Sequence, residues 1–353
     1  MRRVTKVLAL AATAALALSA CGSSSGGSST STTSGSAGAS SSAAKKLKVG
    51  MAYDVGGRGD QSFNDSAARG LDKAKSELGV ETKELEASQG ETDAQKEERL
   101  RLLAQGGYNP IVAVGFAYAT ALKKVAADFP DTSFAIVDDD SITAKNVTPL
   151  VFAENQGSFL VGVIAAQAAK SGNIGYIGGV NTPLLQKFEA GYTAGAKAVN
   201  PTIKVQVKYL TEPPDFSGFS DPAKGKTVAQ GMFDAGADVV YAAAGGSGAG
   251  AFEAASASKK LAIGVDSDQY LTAPAAVKAV ILTSMLKHVD VAVYDYIKAD
   301  AGGTPLRGTQ RFDLKADGVG YSTSNSIVQP YTAKADEYKQ KIISGQIQVP
   351  EKP

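Results

Sequence analysis

Apolar residues in this chain occur in two alternating textures. Short continuous runs read as buried strands: Leu47 to Tyr53, Ile111 to Val114, Phe134 to Val137, Asn173 to Ile177, Asp238 to Tyr241 and Leu261 to Val265. Between them, apolar positions recur at helical spacing in Ser66 to Leu78, Thr92 to Gln105, Tyr118 to Phe129, Gly157 to Lys170, Leu184 to Val199 and Ser247 to Ser258. Alternation of this kind implies parallel sheets built from right-handed βαβ crossovers, so the fold class is α/β. One group of units runs to about Ala153 and a second from about Glu154 to Val265, each large enough for its own doubly wound parallel sheet. A further strand, Val277 to Leu286, precedes a helical stretch, Val289 to Lys298. The chain is therefore expected to recross near Asp266 and Met285, giving an N-terminal lobe of residues 45–153 plus about 268–284. Residues 154–267 plus about 285–353 form the C-terminal lobe, joined to the first by a multi-strand hinge around a cleft.

The first forty-four residues belong to neither lobe. Arg2, Arg3 and Lys6 precede the apolar run Val7 to Leu18, and Leu18-Ser19-Ala20-Cys21 follows as a lipoprotein cleavage box. Residues 1–20 read as a signal peptide, and Cys21, the only cysteine, as a lipid-bearing N-terminus. Residues 21–44 are almost entirely Ser, Gly, Thr and Ala beyond that cysteine and read as a flexible tether. No later apolar run is long enough to span a bilayer, so the expected location is the outer face of a cell membrane, held by lipid alone. The chain carries 36 Lys and Arg against 35 Asp and Glu; without Arg2, Arg3 and Lys6 the balance is 33 to 35, a formal charge of −2. That balance gives no electrostatic case for nucleic-acid binding.

Few parts for catalysis are present. His288 is the only histidine and Cys21 is taken by the anchor, which removes Cys/His and Ser/His/Asp arrangements and the usual zinc ligands; no metal and no cofactor is expected. His288 reads as a surface or capping residue. Carboxylates do gather at strand ends: Asp138-Asp139-Asp140 after Phe134 to Val137, and Asp266 and Asp268 after Leu261 to Val265. They could serve as an acid and base, accept hydrogen bonds from ligand hydroxyls, or cap the next helix; in a tethered two-lobed chain, hydroxyl recognition is the favoured reading. Gly245-Gly246-Ser247-Gly248-Ala249-Gly250 opens a helix but fails the G-x-G-x-x-G spacing, leaving a tight turn or a close backbone approach to a ligand.

Asp54 to Asp65 concentrates more chemistry than any other segment. It joins the first strand to the first helix, where open α/β sheets bind ligands, and combines glycines, carboxylates, Phe63 and Asn64. Ser62 and Asp65 fit a capping box. Phe63 is left for ring stacking or simple packing. Arg58-Gly59-Asp60 matches an integrin-type tripeptide, a match with almost no information in a chain this long.

This turn resembles the signature of the basic membrane protein (BMP) family, PnrA-like purine nucleoside-binding lipoproteins of ABC importers. Further matches follow in order: Val114-Gly115-Phe116, Gly157 to Gly162, Gly178-Gly179 leading to Phe188 to Tyr192, Phe219 to Lys226, Gly264 to Asp268 and Thr283 to Lys287. The resemblance implies a type I periplasmic-binding-protein fold, no enzyme activity, a nucleoside ligand closed between the lobes, and an ABC permease as partner. It implies that Phe63 stacks on the base opposite Phe219, with Phe216 and Phe188 as rivals for that second place. Asn64 would bond base or ribose, and Asp54 and Asp138 would make the first lobe's polar contacts. Asp266 and Lys287 would hold ribose hydroxyls, and Gly245 and Gly246 would offer backbone groups. A ligand-sensing lipoprotein serving a separate receptor is the alternative; a hydrolase using Asp138 and Asp266 is a third.

Overall fold

The computed structural model describes residues 46–353. The expected signal peptide, the Cys21 lipidation site and the tether lie outside the described residues. In chain order the strands are β1 (Lys48–Ala52), β2 (Glu81–Leu85), β3 (Ile111–Ala113), β4 (Phe134–Val137), β5 (Val147–Phe152), β6 (Asn173–Val180), β7 (Lys204–Thr211), β8 (Val239–Ala243), β9 (Leu261–Asp266), β10 (Ile281–Lys287), β11 (Gln310–Phe312) and β12 (Val319–Tyr321). The helices are α1 (Phe63–Leu78), α2 (Asp93–Gln105), α3 (Ala119–Asp128), α4 (Glu154–Ala168), α5 (Pro183–Val199), α6 (Pro222–Asp234), α7 (Gly248–Ser258), the one-turn α8 (Gln269–Thr272) and α9 (Ala275–Lys278), α10 (Val289–Ala301) and α11 (Gln329–Ile343).

These strands form two six-stranded sheets with the same order. The first runs β11-β5-β4-β3-β1-β2 and the second β12-β10-β9-β8-β6-β7. Counted from the first strand of each lobe, both read 2-1-3-4-5 plus an added edge, the doubly wound order whose ligand crevice lies at the carboxyl ends of strands. Pairing is parallel throughout except at the second sheet's added edge, where β12 runs antiparallel to β10; β11 runs parallel to β5. The arrangement is the type I periplasmic-binding fold.

Burial explains the sequence texture. Val49, Met51 and Tyr53 face the core that α1 covers with Ala67, Leu71 and Ala74, while Ala52, Ile111 and Ala113 face a second core filled from α2 and α3 by Leu100, Leu103, Leu122 and Val125. A sheet covered on both faces needs apolar residues at successive positions. In the second lobe, Gly191 and Gly195 of α5 sit where an added Cβ would lie 2.1 Å from Asn155 O and 2.0 Å from Phe159 O of α4. These glycines, and part of the Gly157 to Gly162 motif, serve close helix packing.

The lobe boundaries differ from expectation. Residues 268–284, most of the strand expected over Val277 to Leu286, were expected in the first lobe, but β10 pairs with β9 in the second sheet. The chain does not cross at Asp266; it crosses after β5, after β10 and between β11 and β12, with α10 returning to pack on α1. The physical reason is that burial along nearly the whole of β10 suits an interior strand of either sheet, and pairing with β9 and β12 decides which. Strands β2 and β7 escaped the pattern because they are half-exposed edges with alternating polar residues. Among the described residues, no helix is long and apolar enough to cross a membrane.

Candidate functional site

Both sheets direct their carboxyl ends at a shared cavity. Asp54, Phe63, Asn64, Asp138, Phe219, Gly245, Asp266 and Lys287 all line it, and Gly246 does not. Gly246 instead sits beside the backbone of Phe219 and Asp60. Of the second-lobe aromatics, Phe188 and Phe219 face the cavity. Phe216 stands outside it, its ring 5.9 Å from Phe116 of the first lobe and 5.9 Å from Lys96 Nζ, closing the rim.

The opening turn is held by its own carboxylates. Asp60, 8% exposed, accepts hydrogen bonds from the N–H groups of Ser62 (2.8 Å), Asn64 (2.8 Å) and Asp65 (3.1 Å) and from the Asn64 amide (3.1 Å). Asp60 therefore caps α1, and the expected capping box of Ser62 and Asp65 is absent. Asp65 accepts instead from Gly59 N and Gln61 N, folding the loop back on itself. Asn64 Oδ1 accepts from Asp54 N at 3.1 Å, and its amide also reaches Val55 O at 3.3 Å. Its polar atoms serve the shape of the turn. Arg58, in the discarded tripeptide, pairs with Glu84 and Asp72 and fixes the outer side of the same loop.

Ser62 is freed for another task. Its Oγ lies 3.1 Å from Val265 O and 2.9 Å from Asp266 Oδ2 in the second lobe, one proton serving either acceptor, and Ser267 Oγ donates back to Ser62 O at 2.6 Å. Asp138 and Asp266 occupy equivalent places at the ends of the fourth strands, both in the left-handed region with φ of 68° and 63°. Such backbone, uncommon outside glycine, turns each carboxylate into the cleft and marks a constrained site.

Lys287 ties the lobes together. Its ammonium, 1% exposed, lies 2.5 Å from Asp138 Oδ2 and 3.6 Å from Glu154 Oε1. The rings of Phe63, Phe152 and Phe188 surround it at 4.9, 5.2 and 5.6 Å, close enough for cation–π attraction. Burial alone would lower its pKa, but Asp138, Glu154 and Asp266 overcome that and raise it, so the lysine stays charged. Burial pushes Asp54 up to about 7 and Asp266 up to about 6, against the pull of Lys96 and Lys287 respectively. Asp60 and Asp138 are likewise raised by burial. Several acids thus face a cavity with one cation, short of hydrogen-bond donors.

Sequence reasoning missed Val55, Asp60, Phe116, Leu184, Leu185, Ala243 and Val265 as lining residues. Asp60 could have been found, since Asp is as good a cap as Ser. His288 sits at the N-cap position of α10 without a side-chain capping bond, 3.8 Å from Asp290. Among the described residues, no cluster of His, Cys, Asp and Glu could hold a metal ion.

Fold and cleft together define a two-lobed solute-binding protein. The chain belongs to the Bmp family of PnrA-like ABC transporter substrate-binding proteins, whose family model matches residues 46–353. It is 37% identical over 327 residues to the CD4+ T-cell-stimulating antigen of Listeria monocytogenes, covering 88% of this chain and 90% of that one. It is 36% identical over 328 residues to the ABC transporter nucleoside-binding protein BmpA of Lactococcus lactis, covering 87% and 90%. A solved ABC transporter solute-binding protein from Aeropyrum pernix K1 superposes with a TM-score of 0.75 at 31% identity, over 86% of this chain and 92% of that one.

Proposed function

We propose that this chain captures a nucleoside, and specifically a purine nucleoside, between its lobes and delivers it to an ABC permease while anchored through lipid at Cys21. One observation carries the reading: Phe63 and Phe219 approach the cavity from opposite lobes, while Asp138, Asp266 and Lys287 line the same cavity. A nucleoside has a flat π-face at one end and a polyol at the other, and needs both kinds of wall. Stacking contributes about 1–3 kcal/mol per base, and each bond from a hydroxyl to a buried charged group about 1.5–3 kcal/mol. A few such contacts reach micromolar affinity, near −8 kcal/mol, after ordering costs. The buried acids, which share one cation around the cavity, disfavour an added phosphate. The nucleoside-binding relative from Lactococcus lactis supports the same assignment.

Calorimetry of residues 45–353 against nucleosides, nucleotides, sugars and amino acids tests it. Heat from purine nucleosides and none from the matching 5′-phosphates is the expected result. Sugar or amino-acid binding without nucleoside binding would overturn the reading. Metabolic labelling with a radioactive fatty acid, in the full chain and in Cys21→Ser, tests the anchor; label retained in the variant would refute it.

A further inference from the structure

Glu154 does not line the cavity shared by Phe63 and Phe219, and no family motif quoted above contains it, yet it is among the most deeply buried charges of the described residues, 1% exposed. It is the first residue of α4, immediately past the crossover that leaves the first sheet. Its Oε1 lies 3.6 Å from Lys287 Nζ, and its Oε2 has no hydrogen-bond partner. A carboxylate in that setting costs several kcal/mol of desolvation unless a cation compensates it, and Lys287 is the cation in reach. Lys287, in turn, has carboxylates on two sides: Asp138 from the first lobe and Glu154 from its own.

We propose that Glu154 is a positioning residue for ligand binding: it holds the Lys287 ammonium from the second lobe, aimed at Asp138 and at the ligand's hydroxyls, and keeps it charged and in place when the lobes part. Parting the lobes withdraws Asp138. Phe63 and Phe152, on α1 and β5, leave with it, so Lys287 is left with the second lobe's Phe188, Asp266 and Glu154, and Glu154 at 3.6 Å is the nearest carboxylate that can stop it turning away or losing its proton. Closure hands Asp138 back to an ammonium already in position, so less ordering remains for the ligand to drive. The groups facing Glu154 are Lys287 on β10, Asp138 beyond β4 and Lys187 on α5. The competing role is local: an acid in the first turn of α4 favours the helix dipole wherever Lys287 is.

A double-mutant cycle separates the two roles, using the near-isosteric Glu154→Gln together with Lys287→Met. The ligand arm rests on the nucleoside reading. Glu154→Gln should weaken ribonucleoside binding tenfold or more, leave 2′,3′-dideoxynucleoside binding within about twofold, and change nothing further once Lys287→Met is present. Equal losses in both backgrounds would mean a helix-capping role and overturn the proposal. A ligand-free arm stands without that reading: the side-chain ammonium of Lys287, followed by nitrogen NMR in the empty protein and assigned by its loss in Lys287→Met, should titrate at lower pH in Glu154→Gln. An unchanged titration overturns the proposal even if nucleosides bind. A changed one upholds it if another solute proves to be the ligand, so the two readings can fail separately.

Discussion

The two lobes share a strand order and place turns at matching positions, yet bring different chemistry to the cleft. Gly115 after β3 and Gly245 after β8 both take positive φ, 105° and 54°, and Asp138 and Asp266 match at the fourth strands. At the first strands the lobes diverge: Asp54 to Asn64 is a polar grip pre-folded by Asp60, whereas Thr182 to Leu185 presents an apolar wall. At the fifth strands they diverge again: β10 ends in the cation Lys287, whereas β5 ends at Phe152, whose ring faces that cation from the first lobe. One topology used twice fixes where side chains can reach, and complementarity comes from what is placed there. The second lobe brings the cation with Glu154, Asp266 and Phe188, the first adds Asp138, Phe63 and Phe152, and closure completes the shell.

Removing the cation should break this pairing most severely. Lys287→Met leaves Asp138 and Glu154 buried without a counter-charge, so ligand affinity should fall more than about a hundredfold, close to 3 kcal/mol, and the fold should lose about 3–5 kcal/mol. Denaturant melts and calorimetry check both. A smaller contrast separates the matched glycines. A Cβ at Gly115 would lie 2.2 Å from Asp54 Oδ2, while at Gly245 the nearest atom is Phe219 O at 3.0 Å. Gly115→Ala should therefore cost about 3 kcal/mol and Gly245→Ala about 1 kcal/mol in thermal or urea unfolding; equal costs would erase the contrast between the two turns.

Smaller again is the aromatic test. Phe63→Ala should weaken binding roughly tenfold, or about 1.4 kcal/mol, with little change in the melting temperature of the empty protein. Phe216→Ala should leave equilibrium affinity nearly unchanged and speed ligand release in stopped-flow measurements, because its ring closes the rim. Loss of melting temperature with affinity retained would make Phe63 a packing residue. The smallest effect is that of pH. Asp54 and Asp266 titrate at about 7 and about 6 in the folded, empty protein, against about 4 when unfolded. The folded state therefore keeps protons that the unfolded chain has lost between about pH 4 and 7, and these groups make the empty protein less stable as pH rises through that window. Ligand hydroxyls donate to the ionised forms. Binding should thus release protons and weaken several-fold from about pH 8 to about pH 5.5, read by calorimetry in buffers of different ionisation heat.

Much of this was legible in the chain because continuous burial writes itself as apolar runs, and because carboxylates at strand ends have few structural uses. Edge strands β2 and β7 were not, since half-exposed backbone alternates weakly. Nor was the lobe to which residues 281–287 belong, because pairing partners leave no local mark. Phe216 and Phe219 lie three residues apart in a loop, and only the fold shows which one turns inward. Asp60 was hidden by chemistry: Asp and Ser are equally good caps, and Ser62 looked like the more ordinary choice. Glu154 carried no sign at all, since an acid opening a helix is usually solvated.

The three crossings also bear on biogenesis. The first sheet is completed by β11, which follows the whole of β6 to β10 in the chain, so no contiguous stretch holds a finished first lobe without most of the second. A chain emerging from a ribosome or a translocation pore cannot complete one half and then the other. Both halves must wait for nearly the last tenth of the sequence before their sheets are complete.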